Sequence, residues 1–447
     1  MKYDYKELIT YVGMKKLPVG FEEAYELYEP EGKAELLPRA YYEELLAPYD
    51  LPVDKRAYLD EALDAIERDD KVLSFSNFFV WDMCSVRNKY DIDNYTELIP
   101  TSLGAYNEAY AFLVLLACVP EAEKEMIRRG IPKEYYGDIP HRMIRDQLKR
   151  YVETGKIDVQ DMPWKMNFYT LAIFLMDRFL FIPYMFEEPF RLYRSKLTGK
   201  AIGISDAGCM VDSEGQLITE ESNRDDEGKP GTGYEYARRP ARGTETFVTT
   251  VEETDTEICG NYMNPCGFVE KRKVTISKEE YEIAVDKGDW LLGFHIPSGE
   301  GYTPERMRHS MKLAVDFYEK YYPELAIKGF WSESWLYDKR LSFLIGKGKN
   351  ITNVHEEFFC YSGGWDGEML YVHLFHDMDA KLEECDVKTT LQINAKKMLL
   401  AGGRFCSTGM IFLNEELMDG THYITDEDEV SFYKLMEDNG ISGGMLC

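Results

Sequence analysis

The sequence contains no Cys-x-x-Cys pair, although it has nine cysteines, at 84, 118, 209, 259, 266, 360, 385, 406 and 447. An odd, scattered set disfavours a disulfide framework and a zinc ribbon alike, and free thiols in a reducing cytosol are the simplest reading. Basic charge is also scarce. The 52 Lys and Arg stand against 80 Asp and Glu, a formal net charge of −28. Such a surface repels phosphate backbones and anionic lipid, so neither nucleic acid nor a membrane is an expected partner. Long apolar runs are missing as well. The opening MKYDYKELITYVGMKKLP has no apolar stretch after its basic residues, which argues against a signal peptide. Ala109–Val119 is about one-third to one-half of the length a membrane span needs. Asn167–Phe186 is longer, but Asp177–Arg178 and Pro183 interrupt it, which suits a buried helix. A cytoplasmic protein without a membrane span is the expectation.

What is present is the material of a folded chain. Hydrophobic residues at 45% beside charged residues at 30% fit a globular protein. At 447 residues the chain exceeds one ordinary core, so two or three domains are expected. Apolar residues recur at three- and four-residue spacing over Tyr41–Leu46, Arg56–Arg68, Leu103–Cys118 and Ala122–Arg129. Ser102 is placed to cap the third of these helices and Pro120 to end it. Further helices fit Pro140–Glu153 and Trp164–Phe181, giving a helical domain over 1–188. From 189 to 288 short β-prone runs alternate with turn chemistry, among them KAIGIS, TFVTTVEE and RKVTIS. Asn223–Gly243 is charged and rich in Gly, and reads as a surface loop.

From Ser277 onward strands and helices alternate, and residues 289–447 form the α/β part. The expected order is helix Glu279–Val285, strand Asp289–Ile296, helix Pro304–Tyr322, strand Ile327–Trp331 and helix Asp338–Ile345. Strands Ile351–Tyr361 and Met369–His376, helix Thr389–Ala401 and strand Arg404–Leu413 follow. Thr303 is the N-cap of the long helix, with proline at its first position. The fold class is α+β: a helical N-terminal domain, a β-rich segment, then a mixed sheet with helices packed on it. The best local feature for chemistry is WLLGFHIP running into SGEGYTPERM. A buried strand, a Gly-x-Gly turn and a capped helix aim backbone N–H groups at an anion, and the helix N-terminus adds partial positive charge. Glu300, between the two glycines, opposes a phosphate unless it points away.

HIPSGEGYTPERMRHSMKLAVDFYEKYYPE, FWSESWLYDKRL and KNITNVHEEFFCY resemble the C-terminal part of a bacterial acyltransferase domain-containing family. Its members join an N-acyltransferase N-terminal domain to a GNAT-like C-terminal domain. The matching positions are His295–Ile296–Pro297, Tyr322–Pro323–Glu324, Ser334–Trp335–Leu336 and Asn350–Ile351, with LLAGGRFCSTGMIFL as the closing helix and strand. LPVGFEEAYELYEP and the rest of the helical half resemble the N-terminal domain.

The resemblance implies transfer of an acyl group from acyl-CoA to a small-molecule amine. Under it, Trp290–Ile296 pairs with pantetheine and Ile327–Glu333 splays from it. The loop Ile296, Ser298, Gly299, Gly301 and Tyr302 takes the pyrophosphate, and Lys347 and Lys349 meet the adenosine phosphates. The family loop begins with Arg or Gln three residues before its first glycine, where this chain has Ile296. His295 and Glu333 are the candidate bases, Tyr337 the acid for the leaving thiolate, and Ser334 a substrate-orienting group. A non-catalytic ligand-binding protein on a degenerate GNAT-like fold is the alternative. No metal is expected: His373 and His376, three apart on a strand, would face opposite sides.

Overall fold

A computed structural model describes residues 2–14, 17–18, 20–85, 100–218, 245–297, 299, 301–363, 368–377, 380–401, 403, 405–419 and 423–439. The Asn223–Gly243 loop lies outside the described residues. The chain divides into two compact units, Met1–Leu175 with Phe181–Pro183, and Met176–Leu180 with Tyr184–Cys447. The division therefore runs through one hairpin and does not fall at a single point after residue 188.

The first unit is helical: α1 Tyr5–Val12, α2 Phe21–Leu27, α3 Arg39–Leu46, α4 Val53–Arg68, α5 Asp70–Cys84, α6 Asn107–Arg129, α7 Ile139–Thr154 and α8 Met162–Tyr169. Helix α6 runs straight through Pro120, which was expected to end it. Proline in a helix interior costs about 3 kcal/mol. Here Ala109 to Val119 are all buried, so packing outweighs that cost. The same helix, with the short turn before it, is apolar and long enough to cross a membrane by composition, yet 67% of its most apolar window is buried inside the protein. That is the profile of a core helix. Helix α5 has no counterpart among the expected elements, because VLSFSNFFVWDMC is apolar on nearly every side and lacks a polar stripe. Asp69 starts it by accepting from the N–H groups of Lys71 and Val72 at 3.0 and 3.1 Å.

Trp164–Phe181 is not one helix. It ends at Tyr169, and β1 Phe174–Met176 and β2 Phe179–Met185 follow, turning at Asp177–Arg178. Asp177 takes φ 52°, a left-handed conformation that aspartate tolerates.

The second unit continues with β3 Phe190–Ser195, β4 Ala201–Ser205, β5 Met210–Val211, β6 Phe247–Val248, β7 Val251–Glu253, β8 Glu257–Asn264, β9 Phe268–Ser277, β10 Tyr281–Val285, β11 Trp290–His295, β12 Gly329–Ser334, β13 Phe359–Ser362 and β14 Thr408–Leu413. One sheet has the order β1–β2–β11–β12–β14–β13, and a second has β10–β3–β4–β8–β7 with β9 on β8. Its helices are α9 Pro304–Tyr321, α10 Leu341–Ile345, α11 Asn350–His355, α12 Glu368–Phe375, α13 Thr390–Leu400, α14 Glu416–Asp419 and α15 Asp426–Asp438.

Three segments differ from expectation. Glu279–Val285 is strand β10, held by antiparallel pairing of Tyr281 with Ser195. Ile351–Tyr361 is helix α11 followed by strand β13, because Thr352 Oγ1 accepts from the Lys349 N–H at 3.0 Å and turns the chain. Met369–His376 is not a strand: residues through Phe375 belong to helix α12, whose Leu370, Tyr371 and Leu374 join a local core at helical spacing, and His376 lies just beyond it. Short apolar runs do not distinguish helix from strand. The strand argument against a metal at His373 and His376 falls with it, since His373 is helical and His376 follows the helix end. Both histidines are exposed, and among the described residues no cluster of three His, Cys, Asp or Glu forms.

Across β12, β14 and β13 the residues Glu333, Gly409 and Tyr361 form one row. The Tyr361 ring lies over Gly409, where an added Cβ would sit 1.9 Å from the ring. Gly409→Ala should therefore displace that ring and destabilise the unit by about 1–3 kcal/mol, read as a lower denaturant midpoint.

Candidate active site

Strand β11 pairs in parallel with β12 through Leu292–Phe330 and Gly293–Trp331. Among the described residues no further rung joins them, while β12 continues against β14 as far as Ser334–Thr408. The two strands thus part after Gly293 and Trp331. Paired residues share a face of a sheet and successive residues alternate. His295 is accordingly on the face of Trp331 and Glu333, and Phe294 on the face of Phe330, Ser332 and Ser334.

On the first face Tyr184 stacks on Trp331, with ring centroids 3.8 Å apart and planes at 9°. Trp331 Nε1 donates to Tyr361 Oη at 2.5 Å, and Tyr184 Oη donates to Glu188 Oε1 at 3.0 Å. Tyr361 and Trp331 also favour the charged form of the nearby Glu188 carboxylate. Burial raises the Glu188 pKa, an effect that these three donors and the charge of Lys287 only partly offset. Burial and the neighbouring carboxylates of Glu188 and Glu333 hold the Tyr184 and Tyr361 hydroxyls well above the usual phenol range. Glu333 itself is exposed. His295 is densely enclosed, and burial lowers its pKa to about 4, so the ring is neutral at ordinary pH.

On the second face Tyr337 is fully buried and its hydroxyl donates to Ser332 Oγ at 3.1 Å. Ser332 is the first residue of β12 beyond the last shared rung, so this hydroxyl pair stands where the strands part. Tyr302 lies against Phe179 at 5.9 Å, and burial places its hydroxyl, like that of Tyr337, well above the usual range. Ser334 caps the turn at Trp335–Tyr337 by accepting from the Leu336 N–H at 3.2 Å, which is a structural use of its hydroxyl.

Past β11 the chain enters the glycine turn. Gly299 and Gly301 take φ 120° and 94°, conformations that a residue with a Cβ adopts only under strain. Ser298 and Glu300 lie outside the described residues. Arg178 Nη2 donates to the carbonyls of Pro297 at 2.5 Å and Gly299 at 3.0 Å. Beside it Arg306 binds both oxygens of Asp177, at 2.8 and 3.1 Å, and lowers the pKa of that carboxyl. Thr303 caps α9 by accepting from the Arg306 N–H. Ile296 contributes no donor side chain, and the guanidinium at this turn comes instead from the β1–β2 hairpin. Its signal was present in the sequence as the charged Asp177–Arg178 step inside an apolar run. Lys347 pairs with Glu429 at 3.2 Å and lies over the Tyr433 ring, and Lys349 is an exposed residue that starts α11. The structure thus brings His295, Glu333, Ser332 and Tyr337 to the parting of the strands and engages Lys347 with the C-terminal helix.

Residues 40–171 match the N-acyltransferase N-terminal domain, and residues 234–411 match the GNAT-like C-terminal domain. The chain belongs to the acyltransferase family built from these two domains. Solved structures carry the same fold. An acyltransferase in complex with decanoyl-CoA and teicoplanin superposes with a TM-score of 0.55 at 15% identity, covering 92% of this chain and 100% of that one. An acyltransferase mutant in complex with octanoyl-CoA gives 0.53 at 15% identity with the same coverage. No curated protein matches the sequence. Within this acyltransferase fold, the parting strands are the GNAT-like element that Trp290–Ile296 and Ile327–Glu333 were expected to form.

Proposed function

We propose that the protein transfers an acyl group from acyl-CoA to the amine of a small-molecule acceptor by direct attack on the thioester. The observation that carries this is the parting of β11 and β12 after the Gly293–Trp331 rung, followed by two positive-φ glycines and the capped start of α9. Two strands that part suit the extended chain of a pantetheine arm. A glycine turn before a helix N-terminus suits a pyrophosphate, and Arg178 supplies the cation that Ile296 does not. The complexes with octanoyl-CoA and decanoyl-CoA among the structural neighbours support the same donor.

In this scheme the Ser332–Tyr337 hydroxyl pair protonates the leaving thiolate. Glu333, exposed on the Trp331 face, meets the acceptor ammonium, and neutral His295 orients the amine. A carboxylate beside an aromatic face attracts a cationic group and gives an acidic surface a reason to collect amines. The test is CoA thiol release from a series of acyl-CoAs, with and without candidate amines. Amine-dependent release is expected, and Tyr337→Phe should lower kcat by about 10²-fold with acyl-CoA affinity unchanged. Release that ignores both the amine and this substitution would remove the assignment.

A further inference from the structure

The acyl transfer needs a group to receive the proton that the amine loses, and neither expected base is well suited. His295 has surrendered its basicity to burial, with a pKa near 4. Glu333 is exposed to water, outside the buried aromatic cluster. Beside Tyr184, in the turn between β2 and β3, stands a carboxylate that neither composition nor spacing singled out. Glu188 accepts from Tyr184 Oη at 3.0 Å, and Tyr361 and Trp331 nearby favour its charged form. Those partners are fixed in turn. Tyr184 is stacked on Trp331, Trp331 donates to Tyr361, and the Tyr361 ring is seated on Gly409. Trp331 is the residue of the last rung before the strands part. Glu188 is half-buried.

We propose that Glu188 is the proton acceptor of the reaction, a carboxylate fixed by Tyr184, Trp331 and Tyr361 beside the parting of β11 and β12. The inference rests on the acyl-transfer function proposed above. The ammonium of the acceptor gives one proton to the Glu188 carboxylate and becomes a neutral amine. Its lone pair forms a C–N bond to the thioester carbonyl carbon. The C–S bond then breaks, and the thiolate leaves with the second amine proton, relayed through Tyr337. The products are the amide, free CoA thiol and a protonated Glu188 that returns its proton to water.

The groups around Glu188 set its response to pH. Tyr184, Tyr361 and Trp331 favour the anion as donors, and Lys287 favours it as a nearby cation that is itself paired with Asp206 at 2.7 Å. Glu187 and Glu333 add like charge around Tyr184, and Glu333 also does so around Tyr361. Removing a donor must raise the pKa of the carboxylate, because the anion loses a hydrogen bond that the acid does not need.

The experiment is the pH profile of amine-dependent CoA release, together with acyl-CoA affinity, for the wild type, Glu188→Gln and Tyr361→Phe. In the wild type kcat should rise with pH through an acidic limb. Glu188→Gln should lower kcat by about 10²- to 10⁴-fold and abolish the limb while acyl-CoA affinity stays within about twofold. Tyr361→Phe should move the limb to higher pH. A wild type that turns over while Glu188→Gln keeps its kcat and its limb overturns Glu188 alone. A wild type that neither binds nor cleaves acyl-CoA overturns the acyl-transfer function with it. If Glu188→Gln does not fold, an unmoved limb in Tyr361→Phe overturns the proposal.

Discussion

Asp338→Ala should lower the unfolding free energy by about 3–5 kcal/mol, because it strands a buried guanidinium. The side chains of Arg340 and Asp338 are each 4% exposed, and Glu214 is 5% exposed. Arg340 Nε donates to Asp338 Oδ1 at 2.8 Å, and its Nη1 lies 3.4 Å from Glu214. Asp338 also receives the Cys406 N–H at 2.9 Å, which ties the approach to β14 to the turn that carries Tyr337. Removal of this carboxylate leaves Arg340 charged, desolvated and partnered mainly by Glu214, and frees a backbone N–H as well. Glu384→Ala is the control. It breaks an ion pair whose side chains are 69% and 74% exposed, and should change stability by less than about 1 kcal/mol. Denaturant midpoints for the two variants give the comparison, and equal effects would mean that the buried network carries no special weight.

Acid should destabilise the protein steeply between pH 6.5 and pH 4. Burial lowers both His295 and His355 from 6.5 to about 4. Above pH 6.5 both rings are neutral in the folded and unfolded chains, so they contribute no pH dependence. Between 6.5 and 4 the unfolded chain binds two protons that the folded chain does not. Stability therefore falls as the pH falls, by about 1.4 kcal/mol per unit for each ring, and the loss ends below about 4. His355 is 2% exposed, and burial keeps its ring neutral although the Leu336 carbonyl, which contacts Nε2, favours the charged form. Replacing His355 with Gln should halve the slope of stability against pH in this window. A slope left unchanged would show that His355 does not titrate there.

The architecture was legible where local signals agreed. Thr303 and Pro304 announced α9, and the apolar run from Trp290 announced β11. The parting of β11 and β12 followed from the resemblance and not from any local signal, because register is a property of two strands together. Errors came where tertiary packing decided. Pro120 did not end α6, and the apolar run at residues 369–375 formed a helix because Leu370, Tyr371 and Leu374 fit a helical face of a local core. The site was half visible. His295, Glu333 and Tyr337 could be named from their places at strand ends. Glu188 and Arg178 could not, because each reaches the site from a turn distant in sequence. Only the charged steps at Asp177–Arg178 and Glu187–Glu188, set in apolar surroundings, hinted that those turns serve a purpose.

The most direct measurement is a titration of the intact protein with acyl-CoAs from acetyl to decanoyl, followed by thermal unfolding. A ligand that binds only the folded state at 100 times its Kd stabilises by about 2.7 kcal/mol. Saturable stabilisation by at least one of these thioesters is expected. Gly301→Val should lose it, because φ 94° resists a side chain and the new Cβ would lie 2.7 Å from Arg306 Nη1. No stabilisation at millimolar acyl-CoA would contradict the account.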